Sequence, residues 1–301
     1  MNDFSLLDEL TDCARKNNLP VYRLSMYKGG DIRESEIIPA PDCCAIYSVS
    51  KNFITTACGM CIDDRRMTYD TTVWEMFAAE KPFMNPLWRE VTLEIVLSQT
   101  VGCGGMFLDI DCQDAFSWGE DDWLDAVLKR PFLHRPGEVF DYSDANFYIA
   151  SRMVAKASGM TASALLSRRL FERMKMQGWA WSCCPMGHAV GGSGLYLRCR
   201  DMAKLGALYM NYGIWDGERI LSEEFCRRAT SPISHPSDDT DYGLSFWLPK
   251  QKSGGKCSFR GSGMNNQTIW ANRNSGYVIA WQAFDPQGKI NGKFEAILNS
   301  R

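Results

Sequence analysis

The sequence predicts an α+β protein in which an antiparallel sheet is flanked by helices and a mostly helical insertion separates its parts. Strand-like segments stand near both ends of the chain, and helical patterns fill the middle without β-α-β alternation. The 301 residues, 45% hydrophobic and 23% charged, are typical of a globular protein with a substantial core. We therefore predict a single domain over 1–301, with an α/β lobe at approximately 1–65 and 215–301 and a helical lobe at approximately 66–214.

The first half of the chain begins with a helix and a hairpin. Apolar residues at helical spacing predict a surface helix over 3–16, and two strand-like runs around Gly29-Gly30 predict a hairpin of 21–27 and 32–38. An apolar helix then begins near Ser48. Caps and periodicity predict further helices at 71–79, 92–102, 121–129, 146–158, 161–174, 200–212 and 222–228.

The pattern changes to strands near Asp241. Alternating and β-branched runs separated by glycine and polar turns predict strands at 242–248, 256–260, 267–271 and 277–283. A short helix over 294–298 closes the chain. These C-terminal strands complete the sheet that the N-terminal hairpin begins.

Composition excludes several classes of partner. The formal net charge of −3 and a sequence pI of about 5.7 argue against nucleic acid binding. The chain has no apolar run long enough to span a membrane, and its acidic N-terminus does not resemble a signal peptide. Twelve cysteines without such a signal favour reduced thiols and a cytoplasmic location. We predict no cofactor and no metal site, since the three histidines are scattered.

Cys58 and Cys61 have the spacing of a redox pair or of half a metal site. No second pair at zinc-ribbon spacing follows, and the surrounding helix is apolar. Packing in the core is therefore favoured for both thiols.

The stretch Ser48-Val49-Ser50-Lys51 carries the main chemical signal. Lys51 is a lone ammonium within about twenty mostly apolar residues, and on a helix it would lie beside the Ser48 hydroxyl three residues earlier. Burial disfavours a charged lysine, and a near-neutral amine can activate a serine nucleophile. The alternative is a helix start with a capping serine and a lysine whose ammonium reaches solvent.

Several further segments stand in a family-like order. Ser48-x-x-Lys51 is followed by Tyr142-Ser143-Asp144, and matching stretches stand at 91–100, 191–195, 200–206 and 242–247. Over roughly 40–285, the chain resembles the serine β-lactamase and penicillin-binding-protein superfamily. The nearest part is the class C β-lactamase-like branch, which includes esterases and 6-aminohexanoate-dimer hydrolases.

The resemblance implies a role for each motif residue. Ser48 would be the acylated nucleophile, Lys51 would share its proton network, and Tyr142 would act as base and then acid. Asp144 stands where the family usually has asparagine. Because a carboxylate only accepts hydrogen bonds, Asp144 would hold Lys51 charged and shift the role of base to Tyr142.

The third family motif, usually Lys-Thr-Gly or His-x-Gly, is altered. Gly261 stands where the family has its basic residue. The site would therefore lack a charge-assisted hydrogen bond to a substrate carboxylate, which is worth about 1.5–3 kcal/mol. Strand alternation turns Arg260 to the other face. Ser262, Gly263 and the N–H of Met264 remain for substrate binding.

Two further residues belong to this part of the resemblance. The N–H groups of Ser48 and Met264 would form the oxyanion hole. Trp247 would line the edge of the site, because it stands just upstream of the third-motif strand. Gln99 replaces a common histidine, with no predicted consequence.

Together these features predict a serine hydrolase that forms an acyl-enzyme with a small ester or amide, including a peptide fragment. A β-lactamase, D-aminopeptidase or DD-peptidase is the alternative within the same fold. A catalytically silent ligand-binding homologue and a thiol redox protein are alternatives of other classes. The sequence makes no prediction about oligomeric state.

Overall fold

A computed structural model describes residues 3–119, 121–250 and 256–300 of the chain. Its helices are α1 (Ser5–Lys16), α2 (Ser50–Asp63), α3 (Val73–Phe77), α4 (Leu93–Leu97), α5 (Trp123–Leu128), α6 (Asp144–Ser158), α7 (Ala162–Leu166), α8 (Cys199–Met210), α9 (Glu223–Ala229) and α10 (Asn291–Ser300). Its strands are β1 (Val21–Lys28), β2 (Asp31–Glu36), β3 (Cys44–Ala45), β4 (Ala180–Trp181), β5 (Leu195–Leu197), β6 (Ile214–Trp215), β7 (Glu218–Arg219), β8 (Ser234–Ser237), β9 (Thr240–Tyr242), β10 (Trp247–Pro249), β11 (Phe259–Gly263), β12 (Gln267–Asn272) and β13 (Tyr277–Ala283).

The main sheet has eight strands in the order β2-β1-β13-β12-β11-β10-β9-β8. Every neighbouring pair is antiparallel. The N-terminal hairpin joins the C-terminal strands through β1 and β13, where Leu24 lies opposite Trp281. The predicted α+β class and the sheet built from both ends of the chain are confirmed.

Helices cover both faces of this sheet. On one face, α1 and α10 pack together over a core that includes Leu10, Trp281 and Phe294. On the other face, α8 lies so close to the strands that a Cβ at Gly206 would meet Val278 at 2.6 Å. The helix α2 is buried along its length and packs against α6. It therefore starts at the sheet and ends in the helical region.

Short capped helices make up much of the region between α2 and α8. Thr72, Thr92 and Thr161 each accept a backbone N–H from the first turn of the helix that follows. The helix predicted over 161–174 is interrupted, because α7 passes into a π-helical turn at Ser167–Phe171. A small sheet, β3-β5-β4, connects this region to the segment before α2. The division of the domain into two lobes stays a prediction.

The single strand predicted over 242–248 is wrong. The chain turns between β9 and β10, where Gly243 N–H donates to the Phe246 carbonyl over 2.9 Å and Ser245 has a φ of 66°. An apolar run of this length can fill a tight hairpin as well as a strand, and its periodicity does not distinguish the two. The turn brings Ser245 next to α2.

The cysteines do not form disulfides, and all twelve are free thiols. Burial raises the pKa of Cys58 well above its ordinary value and that of Cys61 to about 11, which keeps both thiols protonated and unreactive.

Within the described residues, no group of histidine, cysteine or carboxylate side chains is arranged to hold a metal ion. None of the helices in that part of the chain has both the length and the apolar character needed to cross a membrane.

Candidate active site

Ser48 lies in a 3-10 turn, Tyr47–Val49, that leads directly into α2. Tyr47 has a φ of 48°, a conformation that costs a non-glycine residue about 1–3 kcal/mol. The turn is held by Ser50, whose buried hydroxyl donates to the Tyr47 carbonyl over 2.6 Å and accepts from Leu195 N–H over 3.3 Å. Ser50 is thus a structural residue, whereas Ser48 is partly exposed.

Lys51 is only 1% exposed, and its ammonium makes three hydrogen bonds. It donates to Ser48 Oγ over 2.8 Å, to Asp144 Oδ1 over 2.6 Å and to the Gly192 carbonyl over 2.7 Å. These three acceptors use all three protons of an ammonium group. The predicted contact between Lys51 and Ser48 is therefore present.

The ion pair with Asp144 decides the charge of Lys51. Burial lowers the pKa of Lys51, but Asp144 and Tyr142 outweigh burial, so the pKa lies above its ordinary value of 10.5. Burial raises the pKa of Asp144, and Lys51 opposes that rise. Lys51 is thus an ammonium at neutral pH, not the near-neutral amine that burial alone predicts.

Tyr142 lies beside this pair. Its ring centroid is 4.7 Å from Lys51 Nζ, within the range of a cation–π contact. Tyr142 also stacks on Trp247, with centroids 6.0 Å apart and ring planes 23° apart. Trp247 thus lies beside Tyr142, and its place at the edge of a substrate site stays a prediction.

The end of β11 approaches the Ser48 turn very closely. A Cβ at Gly263 would lie 2.4 Å from the Ile46 carbonyl oxygen and 3.2 Å from Ser48 N, so glycine is required there. Met264 follows in a 3-10 turn. The N–H groups of Ser48 and Met264 are in this way carried by two segments in contact, as an oxyanion hole requires.

Two residues that the sequence analysis did not assign complete the site. The carbonyl of Gly192 accepts from Lys51, and a Cβ at Gly192 would lie 2.5 Å from Asp144 Cβ. The side-chain oxygen of Gln99 accepts from Ser143 N–H over 3.0 Å and from Asn146 Nδ2 over 2.6 Å. Gln99 therefore fixes the segment that carries Tyr142 and Asp144.

The surroundings of Lys51 are acidic. Burial is the largest cause of the raised pKa of Asp111. The nearby carboxylates Asp109 and Asp144, which are both buried, raise it further. Asp111 accepts a hydrogen bond from the Ser193 hydroxyl. Carboxylates therefore lie close to the buried lysine.

Comparison with known proteins assigns the sequence to a family. The family model described as Beta-lactamase matches residues 27–288. The chain belongs to the Beta-lactamase family.

Solved structures of similar shape carry several functions. A candidate 6-aminohexanoate-dimer hydrolase from Bacillus anthracis superimposes with a TM-score of 0.79 at 17% identity, over 97% of this chain and 80% of that one. A penicillin-binding protein from Bacillus halodurans gives 0.75 at 19% identity, over 97% and 99% of the two chains. A family VIII carboxylesterase gives 0.78 at 14% identity, over 99% and 97%. At these identities the likeness establishes the fold.

In this Beta-lactamase family member, a side chain at Gly261, the predicted basic position of the third motif, would meet a steric obstacle. A Cβ at Gly261 would lie 2.5 Å from Asn52 Oδ1, so the Asn52 amide occupies the start of any side chain at this position. Asn52 Nδ2 donates to the carbonyl and hydroxyl oxygens of Ser245 over 2.8 and 3.0 Å. The tight β9–β10 turn therefore fixes Asn52 in place.

The other third-motif residues lie in β11 and in the turn that follows it. Arg260 pairs with Glu295 of α10 at 3.3 Å, on the face opposite Gly261, as strand alternation predicts. Ser262 lies on the same face as Arg260 by that alternation, and its role in substrate binding stays a prediction. The Met264 side chain is exposed at the mouth of the site.

Proposed function

We propose that the protein is a serine hydrolase that cleaves a small uncharged ester or amide through an acyl-enzyme on Ser48. The observation that carries this proposal is the 2.8 Å hydrogen bond between Lys51 Nζ and Ser48 Oγ. The contact of Lys51 with Tyr142 and membership of the Beta-lactamase family support it.

In the proposed reaction, Ser48 Oγ attacks the substrate carbonyl while the phenolate of Tyr142 accepts the hydroxyl proton and becomes the phenol. Lys51 remains an ammonium throughout, because Asp144 holds its charge, and it stabilises negative charge on the Tyr142 oxygen. The N–H groups of Ser48 and Met264 stabilise the oxyanion, a contribution of about 10²–10³ in rate for one donor. Tyr142 then gives its proton to the leaving alcohol or amine. In deacylation, water gives a proton to the Tyr142 phenolate and its oxygen attacks the acyl carbon. The bond to Ser48 Oγ then breaks, Tyr142 returns the proton to Ser48 Oγ, and the acid leaves.

The proposed substrate carries no carboxylate next to the reacting carbonyl. The family's basic residue is replaced by Gly261, and Asn52 fills its place. Asp144 is neutralised by Lys51, and Asp111 is a further carboxyl group nearby, which offers a substrate carboxylate no cationic partner. These features favour a neutral ester or amide over a β-lactam or a D-Ala-D-Ala peptide.

Labelling by a fluorophosphonate probe, read by intact mass, tests the nucleophile. We expect one label on the wild-type chain and none on Ser48→Ala. Ser50→Ala is the matched control, since Ser50 makes structural hydrogen bonds two residues away, and a folded Ser50→Ala should still be labelled. A labelled Ser48→Ala, or an unlabelled wild type, would refute the proposal, and the second result would favour a silent ligand-binding homologue.

Substrate class is tested by comparing p-nitrophenyl acetate with a chromogenic cephalosporin. We expect a larger kcat/KM for the acetate. Faster hydrolysis of the cephalosporin would favour the β-lactamase or peptidase alternative. The structural similarity to a penicillin-binding protein is the reason for testing that alternative.

We also propose that the protein works in the cytoplasm. The support is that its twelve cysteines are all free thiols, as reducing compartments maintain them. Fractionation of the native host with an antibody to the chain tests this, and recovery outside the cytoplasmic fraction would contradict it.

A further inference from the structure

A second cavity, of about 370 Å³, lies at the end of the main sheet beside the nucleophile turn. Four aromatic rings line it, those of Tyr22, Tyr47, Tyr196 and Phe284. None of its lining residues is a carboxylate, a lysine, an arginine or a histidine. Its size falls within the roughly 300–1,000 Å³ of small-molecule sites. The cavity therefore suits an uncharged, apolar group.

The cavity adjoins the turn that carries Ser48. Tyr47 immediately precedes Ser48, and a Cβ at Gly263 would lie 3.2 Å from both Ser48 N and Tyr47 Cβ. Tyr47 and Tyr22 both line the cavity, so the residue next to the nucleophile forms part of the cavity wall.

The order of the strands shows which part of a substrate would enter. Trp247 belongs to β10, on one side of β11, and Tyr142 stacks on it. The cavity residues Gln267 and Ala283 belong to β12 and β13, on the other side of β11. Since Tyr142 protonates the leaving group in the proposed reaction, the leaving group lies on the Trp247 side. The acyl group then extends toward the cavity.

We propose that this cavity binds the acyl group of the substrate, and that this group is uncharged and longer than acetyl. The inference rests on the proposed function and specifies its substrate class. Exposed rings at the entrance, Tyr196 at 44% and Phe284 at 55%, become covered when the chain of the acyl group packs on them. A carboxylate or ammonium on the acyl chain would lose its hydration without gaining a partner.

A series of p-nitrophenyl esters from acetyl to octanoyl tests the inference. For the wild type we expect kcat/KM to rise by up to about fourfold for each methylene that becomes buried. Tyr196→Ser and Phe284→Ser should lower the octanoyl-to-acetyl ratio of kcat/KM, and Tyr196→Phe should restore it. Ala40→Trp, which adds a ring inside the cavity, should shift the preferred acyl group to a shorter one.

Phe83→Ser is the matched control, because Phe83 is also an exposed aromatic ring, at 44%, and lies outside the cavity. It should leave the ratio unchanged. If the cavity variants keep the wild-type ratio while acetate hydrolysis still depends on Ser48, the inference is overturned and the proposed function stands. The inference is also overturned if those variants change only the oligomeric state in size-exclusion chromatography. If no ester gives Ser48-dependent turnover, the proposed function itself fails, and the acyl site with it.

Discussion

The start of α2 and the end of β11 meet at the site, but they hold charge in different ways. At α2, the Lys51 ammonium is buried and bonded to Ser48, Asp144 and Gly192. At β11, glycine stands at the basic position and a neutral amide, Asn52, fills the space. In the proposed mechanism, the ammonium that assists Ser48 is present, whereas the position predicted to bind a substrate anion carries no charge. The proposal therefore separates activation of the nucleophile from recognition of an anion.

Removing the ammonium should have the largest effect. We expect Lys51→Met to lower kcat/KM by at least about 10²-fold, since general acid–base networks contribute this much or more. It should also lower the free energy of unfolding by about 3–5 kcal/mol, because Asp144 becomes a buried charge without a partner. Ester hydrolysis and urea unfolding measure the two effects.

The double variant Lys51→Met/Asp144→Asn separates the two effects. It removes the unpaired charge, so most of the stability should return while activity stays low. If the double variant recovered both its stability and its activity, Lys51 would be needed only for folding.

Replacing the counter-charge should have an intermediate effect that depends on pH. Asp144→Asn should slow labelling of Ser48 about tenfold at neutral pH, the value of one charge-assisted hydrogen bond. The raised pKa of Lys51 stabilises the folded wild type fully below 10.5, and this stabilisation is lost as pH rises through the folded pKa, above 10.5. In the variant, burial dominates and lowers the pKa of Lys51 below its unfolded value, so stability should rise instead of fall as the pH increases toward 10.5.

Labelling rates and thermal unfolding, both followed from neutral to alkaline pH, measure this shift. Asp8→Asn, on the distant surface helix α1, controls for the loss of one negative charge. Identical alkaline limbs in Asp144→Asn and the wild type would show that Asp144 does not set the charge of Lys51.

Restoring the basic residue should have a smaller effect, and only when space is made for it. Gly261→Lys alone should gain nothing on a cephalosporin, because its Cβ would meet Asn52 Oδ1 at 2.5 Å. Gly261→Lys/Asn52→Ala should acylate about tenfold faster than Asn52→Ala, through a charge-assisted contact with the substrate carboxylate. Intact mass over time measures acylation. Equal gains with and without Asn52 would show that steric exclusion is not the cause.

Removing a buried thiol should have the smallest effect. Cys58→Ala should leave kcat/KM for esters unchanged, since the thiol is buried, protonated and free. Loss of activity in a folded variant would revive the thiol redox alternative.

Much of the site could be predicted because its chemistry lies in side chains at short or ordered spacing. Ser48 and Lys51 are one helical turn apart, and the segment with Tyr142 and Asp144 follows in family order. The predicted proximity of Lys51 to Ser48 is observed, while the catalytic roles remain proposals. Burial alone predicts a near-neutral Lys51, because its partner is 93 residues away in sequence. The resemblance, which singles out Asp144, predicts the charged state that the raised pKa of Lys51 supports.

Other parts of the site leave no pattern in a single sequence. Gly192 acts through its backbone carbonyl, which any residue possesses, and Gln99 acts by fixing two groups on α6 and the segment before it. The turn at Ser245 interrupts what reads as a strand, because the positive φ there is imposed by packing against Asn52. In each case tertiary contacts decide the outcome.

The close approach of Gly263 to the Ser48 turn also has a consequence for biosynthesis. Ser48 and Lys51 precede β11 in the sequence, so a nascent chain carries them before it has the second proposed donor to the oxyanion. In the proposed reaction, acylation of Ser48 requires β11 to be in place, and the onset of probe labelling during refolding should report sheet closure.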